Sequence, residues 1–392
     1  MYPNPQDVLP LPSLDVEQYR RRAEDLVAAG EAAWIDDRRR AEQVAAFARE
    51  RFKEGRSLEE AQFIIARVYG FAGWPELVRH LEQGGVIAAF EHAVDAIVTG
   101  DLETLDALLR AQPELVTARS TRAHGATLLH YVSANGVENY RQRTPPNIVA
   151  ITRRLLDAGA TVDAFCDVYG GDATTLYLTV TSAHPRAAGV QNQLADLLLE
   201  RGAQMRAGIL RDCLANGCPE AAAHLLALGA PLDLEEAGGL GDVAAVRRLL
   251  DGGISVSSTE AAAALNMAAW YDRRDVVALL LERGMDPGTR IEWGKEGRTA
   301  LHIAAYCGHA ELVRLLLDHE APVNVADQVY GTPPIVWALH AWLAEGKGPD
   351  ARYHAVLKDL AEHGATVERR HLDDERLRAA PELLALLESR TG

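Results

Sequence analysis

The stretch GRTALHIAAYCGHAELVRLLLDHEAPVNVAD, residues 297–327, limits the possible folds more than any other. It combines a small-residue helical pattern around Ala304 and Ala305, a break at Gly308-His309 and a leucine-rich second helical pattern through 315–317. Weaker copies surround it: ATLLHYVSANG (126–136), ATTLYLTVTS (173–182), CLANGCPEAAAHLLALGA (213–230), GGLGDVAAVRRLLDGG (238–253) and ALNMAAWYDRRDVVALLLERG (264–284). A closing Gly or its equivalent recurs at 159, 202, 229, 252, 284, 320 and 364, a mean step of about 34 residues. A two-helix unit of that size cannot bury its own apolar face, so neighbours must stack and share a core. At 392 residues the chain is in any case too long for one ordinary core.

Position by position, residues 297–327 resemble an ankyrin repeat, with Thr299 to His302 as its TPLH-type tetrapeptide and Leu315 to Leu317 as its leucine run. The resemblance implies an all-α, ankyrin-repeat solenoid of stacked helix pairs with short hairpin fingers, about seven to eight degenerate repeats over 86–368. Residues 1–85 are expected to form a small N-terminal helical cap or adaptor, and 369–392 a C-terminal capping helix. The N-terminal reading rests on SLDVEQYRRRAEDLVAAG, capped near Ser13 or Asp15 and ended at Gly30, and on SLEEAQFIIARVYG, opened by a Ser57–Glu60 capping box. Residues 57–82 and 167–203 are similar to segments of a bacterial group of ankyrin-repeat proteins. That likeness implies a bacterial, intracellular protein and carries no activity with it.

The net charge of -16 repels phosphate backbones and anionic lipid surfaces, so neither nucleic acid nor a membrane is an expected partner. The short basic clusters Arg20 to Arg22 and Arg38 to Arg40 lie on acid-interleaved helices. Four cysteines (Cys166, Cys213, Cys218, Cys307) without CxxC spacing, no basic-then-apolar leader and no long apolar run fit a soluble protein of a reducing cytoplasm.

HIAAYCGH, 302–309, places two histidines and a cysteine within eight positions. A zinc site needs three or four convergent ligands, and Cys307 lies about 140° around a helix from His302. No metal is expected. By the resemblance, His302 and His130 tie one repeat's turn to the next through their ring nitrogens, and His309 belongs to the Gly-His turn between helices.

Function is sought in the departures from the repeat. Three copies are enlarged between their helices, by VENYRQRTPPN, SAHPRAAGVQNQ and WLAEGKGPDARYH. Such loops project from one edge of a solenoid and can wall a groove. Aromatic residues stand at groove positions: Trp270 and Tyr271, Tyr306, and His340 on first helices, with Tyr169, Trp293 and Tyr330 on fingers. These seven are the candidate ligand-binding residues, with Asp167, Asp172, Asp327 and Arg298 as charged companions. Tyr and Trp supply contact area with a polar handle. The expected function is a non-enzymatic scaffold whose groove binds a protein segment or a small amphipathic molecule. The alternatives are an enzyme using His184, His340 and Tyr306 as acid–base groups in a walled pocket, and a structural subunit of a larger assembly. No GxSxG, HExxH, P-loop or dinucleotide motif appears, and no cofactor is expected.

Overall fold

The computed structural model of the protein describes residues 7–13, 15–30, 32–82, 85–290 and 297–391. Among these there is no β-strand, only the isolated bridges Arg119–Thr127, Cys166–Ala173 and Val367–Thr391. The architecture is that of an all-α repeat solenoid built of helix pairs. It divides into two compact units, Met1–Ile209 with Asn216–Ala221, and Leu210–Ala215 with Ala222–Gly392.

The first unit opens with α1 (Val16–Ala29), α2 (Arg38–Arg51), α3 (Leu58–Val68) and α4 (Trp74–Glu82). Asp15 caps α1 by accepting the Glu17 N–H, and Gly30 ends it in the left-handed conformation. Ser57 accepts the Glu60 N–H at 3.1 Å. The reciprocal half of the expected capping box is replaced by an ion pair, because Glu60 turns to Arg51 at 2.8 Å. Leu26, Ile64, Ile65, Tyr69, Phe71 and Leu77 form a core of their own here. Each such fully buried aliphatic side chain contributes about 2 kcal/mol.

Next come α5 (Val86–Thr99), α6 (Leu102–Ala111), α7 (Ile148–Asp157), α8 (Thr175–Val180), α9 (Ala183–Ala187) and α10 (Gln191–Glu200). Where a first helix is expected in ATLLHYVSANG, residues Leu128–Ser133 form a 3-10 turn instead, ended by Ala134 in the left-handed region. Ser133 closes that turn by donating to the His130 carbonyl at 2.6 Å. The insertion at 137–147 does not project outward as a wall. It turns inward and buries Glu138 and Arg141. There Glu138 pairs with the buried Arg122, whose guanidinium also donates to the Tyr69 carbonyl at 2.7 Å. Arg141 reaches Glu91 at 2.6 Å and Asp95 at 2.9 Å. Burial works against the charge of Glu138, but the arginines outweigh it and hold the carboxyl well below its ordinary range.

The division between units falls at α11 (Ile209–Ala215) and α12 (Pro219–Ala227). The second unit then stacks four pairs: α13 (Leu234–Leu240) with α14 (Val243–Asp251), α15 (Thr259–Trp270) with α16 (Arg274–Glu282), α17 (Ala300–Cys307) with α18 (Ala310–Asp318), and α19 (Pro334–Leu339) with α20 (Asp350–Glu362). First helices pack on first helices and second on second. The shared core runs from Leu265 and Leu280 through Ile303 and Leu316 to Leu357. Short α21 (Glu375–Arg378) and α22 (Pro381–Glu388) follow, with α22 against α20. In the pair Pro333-Pro334, Pro334 takes the first helical position, where a missing N–H costs nothing.

The period is a series of left-handed helix ends. Gly284 takes φ 91° and Gly364 φ 88°, and Glu320 adopts φ 62° where its neighbours use glycine. In GGLGDVAAVRRLLDGG, Gly241 ends the first helix at φ 81° and Gly253, one position beyond the expected 252, closes the second at φ 109°. Gly238 and Gly239 serve close packing. A Cβ on Gly238 would stand 2.6 Å from the Ala264 backbone oxygen, so only glycine lets α13 lie this near α15.

Candidate functional site

The scaffold histidines behave as the tetrapeptide requires. The Thr299 N–H donates to His302 Nδ1 at 3.1 Å, which leaves the ring proton on Nε2 to donate to the Thr332 carbonyl of the next repeat at 3.2 Å. His130 repeats the pattern, receiving the Thr127 N–H at 3.0 Å and reaching the Ala164 carbonyl at 2.9 Å. Burial presses both rings down to about 4, so they are neutral ties. His309 Nε2 meets the Trp270 carbonyl at 3.2 Å, and burial lowers its pKa as well. Burial raises the Cys307 thiol to about 11, which makes it a poor nucleophile. Among the described residues no three His, Cys, Asp or Glu side chains converge as a metal site would require.

Beside this scaffold the second unit holds a cavity of about 630 Å³, lined by Trp270, Arg298, Tyr306, Tyr330, Trp337 and His340 among others. Its position follows from the stack. Ala304 and Ala305 on α17 are buried against neighbouring helices, so the next residue, Tyr306, is the first large side chain free to leave the core. Trp270 holds the matching place at the end of α15, and the two rings lie tilted with centroids 6.2 Å apart. Trp337 of α19 meets Tyr306 edge-on at 5.8 Å and Tyr330 at 6.5 Å. Offset and edge-to-face contacts at such distances are favourable for aromatic rings.

Asp327 holds the finger that carries Tyr330. Its buried carboxylate accepts the N–H groups of Val329, Tyr330 and Thr332, the Thr332 hydroxyl and Trp337 Nε1. Burial would raise its pKa, but these donors outweigh it and hold the carboxyl well below the ordinary range. The expected role of Asp327 as a ligand-orienting companion is therefore not available; its lone pairs are spent on the turn.

The insertion WLAEGKGPDARYH forms one side of the cavity. The turn that leads into it, His340–Ala344, is a π-helix, an uncommon geometry often found at functional sites. The wide turn presents His340, Leu343 and Glu345 to the cavity. The Glu345 carboxylate accepts the Tyr306 hydroxyl at 2.9 Å, lies 3.1 Å from His340 Nε2 and 2.8 Å from Lys347 Nζ. That ammonium also stands 3.6 Å from the centre of the Tyr306 ring. The hydrogen bond from Lys347 lowers the Glu345 pKa, while burial raises that of Tyr306.

Of the sequence-derived candidates, Trp270, Tyr306, Tyr330 and His340 share this cavity. Tyr271 is placed otherwise: its hydroxyl donates to the Leu214 carbonyl and Arg273 lies over its ring. Tyr169 belongs to the first unit, where its hydroxyl donates to Asn135 Oδ1 at 2.8 Å. His184 also belongs to the first unit, on the five-residue α9, and so does not join Tyr306 and His340 in one cavity of the second. Trp293 lies outside the described residues. Trp337 and Glu345 were not singled out from sequence. The i to i+5 wrap that aims Glu345 has no residue signature, but Trp337 stands one turn after the proline pair and a helical projection would have found it.

Residues 296–328 match the family model for the ankyrin repeat. The chain carries an ankyrin repeat. Over 121 residues it is 33% identical to a putative ankyrin repeat-containing protein of Treponema pallidum (strain Nichols), covering 31% of this chain and 33% of that one. It is also 38% identical over 77 residues to Protein PhlB of Serratia liquefaciens, and 41% identical over 73 residues to the E3 ubiquitin-protein ligase KEG of Arabidopsis thaliana. The matches span 33% of PhlB and 4% of the ligase. The chain thus spans a third or less of the length of these ankyrin-bearing and other relatives. No helix among the described residues is long and apolar enough to cross a membrane.

Proposed function

We propose that this protein is a non-catalytic binding scaffold whose second unit seats a segment of a partner protein in the cavity between Trp270, Tyr306, Tyr330 and Trp337. Ankyrin repeats serve protein binding through rigid surfaces. One observation carries the placement: four large aromatic side chains from three successive repeats meet at one cavity, while Tyr330, at 68% exposure, is the most exposed large hydrophobic residue among the described residues. Exposed aromatic rings that are already held in place bind at low entropic cost. The four cysteines, none in a disulfide, suit a reducing compartment.

The test is selection of random twelve-residue peptides on the whole chain, with each binder then measured on a Trp270→Ala, Tyr306→Ala double variant. The hydrogen bonds made to these two residues by the scaffold reach their backbone carbonyls, from His309 and from Tyr353, so truncating the rings leaves them in place. Binders should lose roughly tenfold or more in affinity on the variant, as aromatic hot spots do. Binders indifferent to the double change would refute the placement. A second reading, a small amphipathic ligand, is favoured by the cavity volume of about 630 Å³, which falls in the range of small-molecule sites. Native mass spectrometry of the whole chain would then show a retained mass that the double variant lacks.

A further inference from the structure

We infer that the partner segment anchors itself by an unmodified lysine, which takes the place on the Tyr306 face and Glu345 carboxylate now held by the chain's own Lys347. This rests on the binding reading above and specifies its chemistry. An aromatic face beside a carboxylate is a cation site, and here the cation is seen in place: the Lys347 ammonium is 3.6 Å from the ring centre and 2.8 Å from Glu345 Oε2. The protein thereby shows which group the site accepts.

The geometry also excludes other cations. The Tyr306 hydroxyl reaches both Glu345 oxygens, Oε1 at 3.1 Å and Oε2 at 2.9 Å; His340 holds Oε1 at 3.1 Å and Lys347 takes Oε2. A guanidinium uses both carboxylate oxygens in its fork, so besides replacing Lys347 at Oε2 it would have to displace His340 from Oε1. A trimethylated ammonium carries charge but no N–H to donate at hydrogen-bond distance. An acetylated lysine carries no charge. A primary ammonium needs only the ring and Oε2, the pair that Lys347 uses.

Lys347 is built to leave. It lies between Gly346 and Gly348, at φ 64° and 61°, and a Cβ on Gly346 would meet nothing. Its side chain is 42% exposed, and its N–H is tied to the Ala341 carbonyl at 3.0 Å. The backbone can therefore stay in place while the side chain swings into water. As a tethered competitor it occupies the site at high effective concentration and lowers the apparent affinity for an incoming lysine. The -16 net charge draws a basic segment toward the surface. The apolar lining, Trp270, Val336, Trp337 and Leu343, would take the residues flanking the lysine.

The experiment uses the whole chain and a capped Leu-Gly-Lys-Gly-Leu peptide, followed by tryptophan fluorescence, with acetyl-lysine, trimethyl-lysine and arginine versions as comparisons. Lys347→Ala should raise affinity for the lysine peptide roughly threefold or more. Adding Glu345→Gln should remove that gain and weaken binding roughly tenfold. Both positions are on the surface, so neither variant threatens the fold. All three comparison peptides should bind more weakly than lysine. No gain with Lys347→Ala, or an acetyl-lysine peptide bound as well as lysine, overturns the inference. Should selected peptides depend on Trp270 and Tyr306 yet show no need for lysine, the binding reading survives and the lysine falls alone. If none depends on those rings, both fall.

Discussion

The buried histidine of each tetrapeptide sets a pH limit on this fold. His302 and His130 titrate near 6.5 when unfolded and near 4 in place. Their folded pKa is depressed, so the unfolded chain takes up protons first as pH falls. The stability they add is complete above about 6.5 and is lost progressively between about 6.5 and 4, at most about 3 kcal/mol for each. Thermal melts from pH 7 to 4 should show that loss, and His302→Leu should flatten part of it while lowering the neutral-pH melting temperature. A slope unchanged in the variant would mean that other groups govern the acid limit. Glu138 makes a harsher case. Glu138→Gln leaves Arg122 and Arg141 buried with one counter-charge fewer, and breaking a buried pair from one side costs about 3–5 kcal/mol. Chemical denaturation at neutral pH is the check, and a loss below about 1 kcal/mol would show water reaching the arginines.

At the level of helices, close approach and loop geometry decide what the repeat can carry. Gly238→Ala should destabilise the second unit by about 1–3 kcal/mol, since its Cβ would meet the α15 backbone, which cannot yield as a flexible side chain would. Denaturant unfolding of the whole chain followed by circular dichroism would report it. The helix pairs and their closing positions were legible from spacing, because each repeat states the same local rules several times over, while the role of the scaffold histidines came from the resemblance to the ankyrin repeat. The cavity was legible in part. Trp270 and Tyr306 follow a small-residue helix in fixed register, so projection places both. Tyr271, one position from Trp270, could not be sorted from it without knowing that the Leu214 carbonyl captures its hydroxyl. The inward turn of 137–147 was hidden for a different reason. Glu138 and Arg141 look like surface charges until Arg122 and Glu91, distant in sequence, are brought beside them.

For the molecule as a whole, charge determines how a partner arrives, while the cavity determines how long it stays. Forty basic residues against fifty-six acidic ones leave -16 spread over both units. Charge of that size steers an oppositely charged segment and speeds encounter, with the benefit screened as the Debye length shrinks from about 10 Å at 0.1 M salt to about 3 Å at 1 M. The anchoring contacts at Tyr306 and Trp337 are short-range and partly sheltered, so they resist screening better. Association of a lysine-bearing peptide with the whole chain should therefore slow by about tenfold or more across that salt range, with a much smaller change in dissociation. Stopped-flow fluorescence separates the two rates. Equal salt sensitivity of both would place the energetics on the exposed rim rather than on the rings, and would shift attention from Tyr306 to the surface carboxylates.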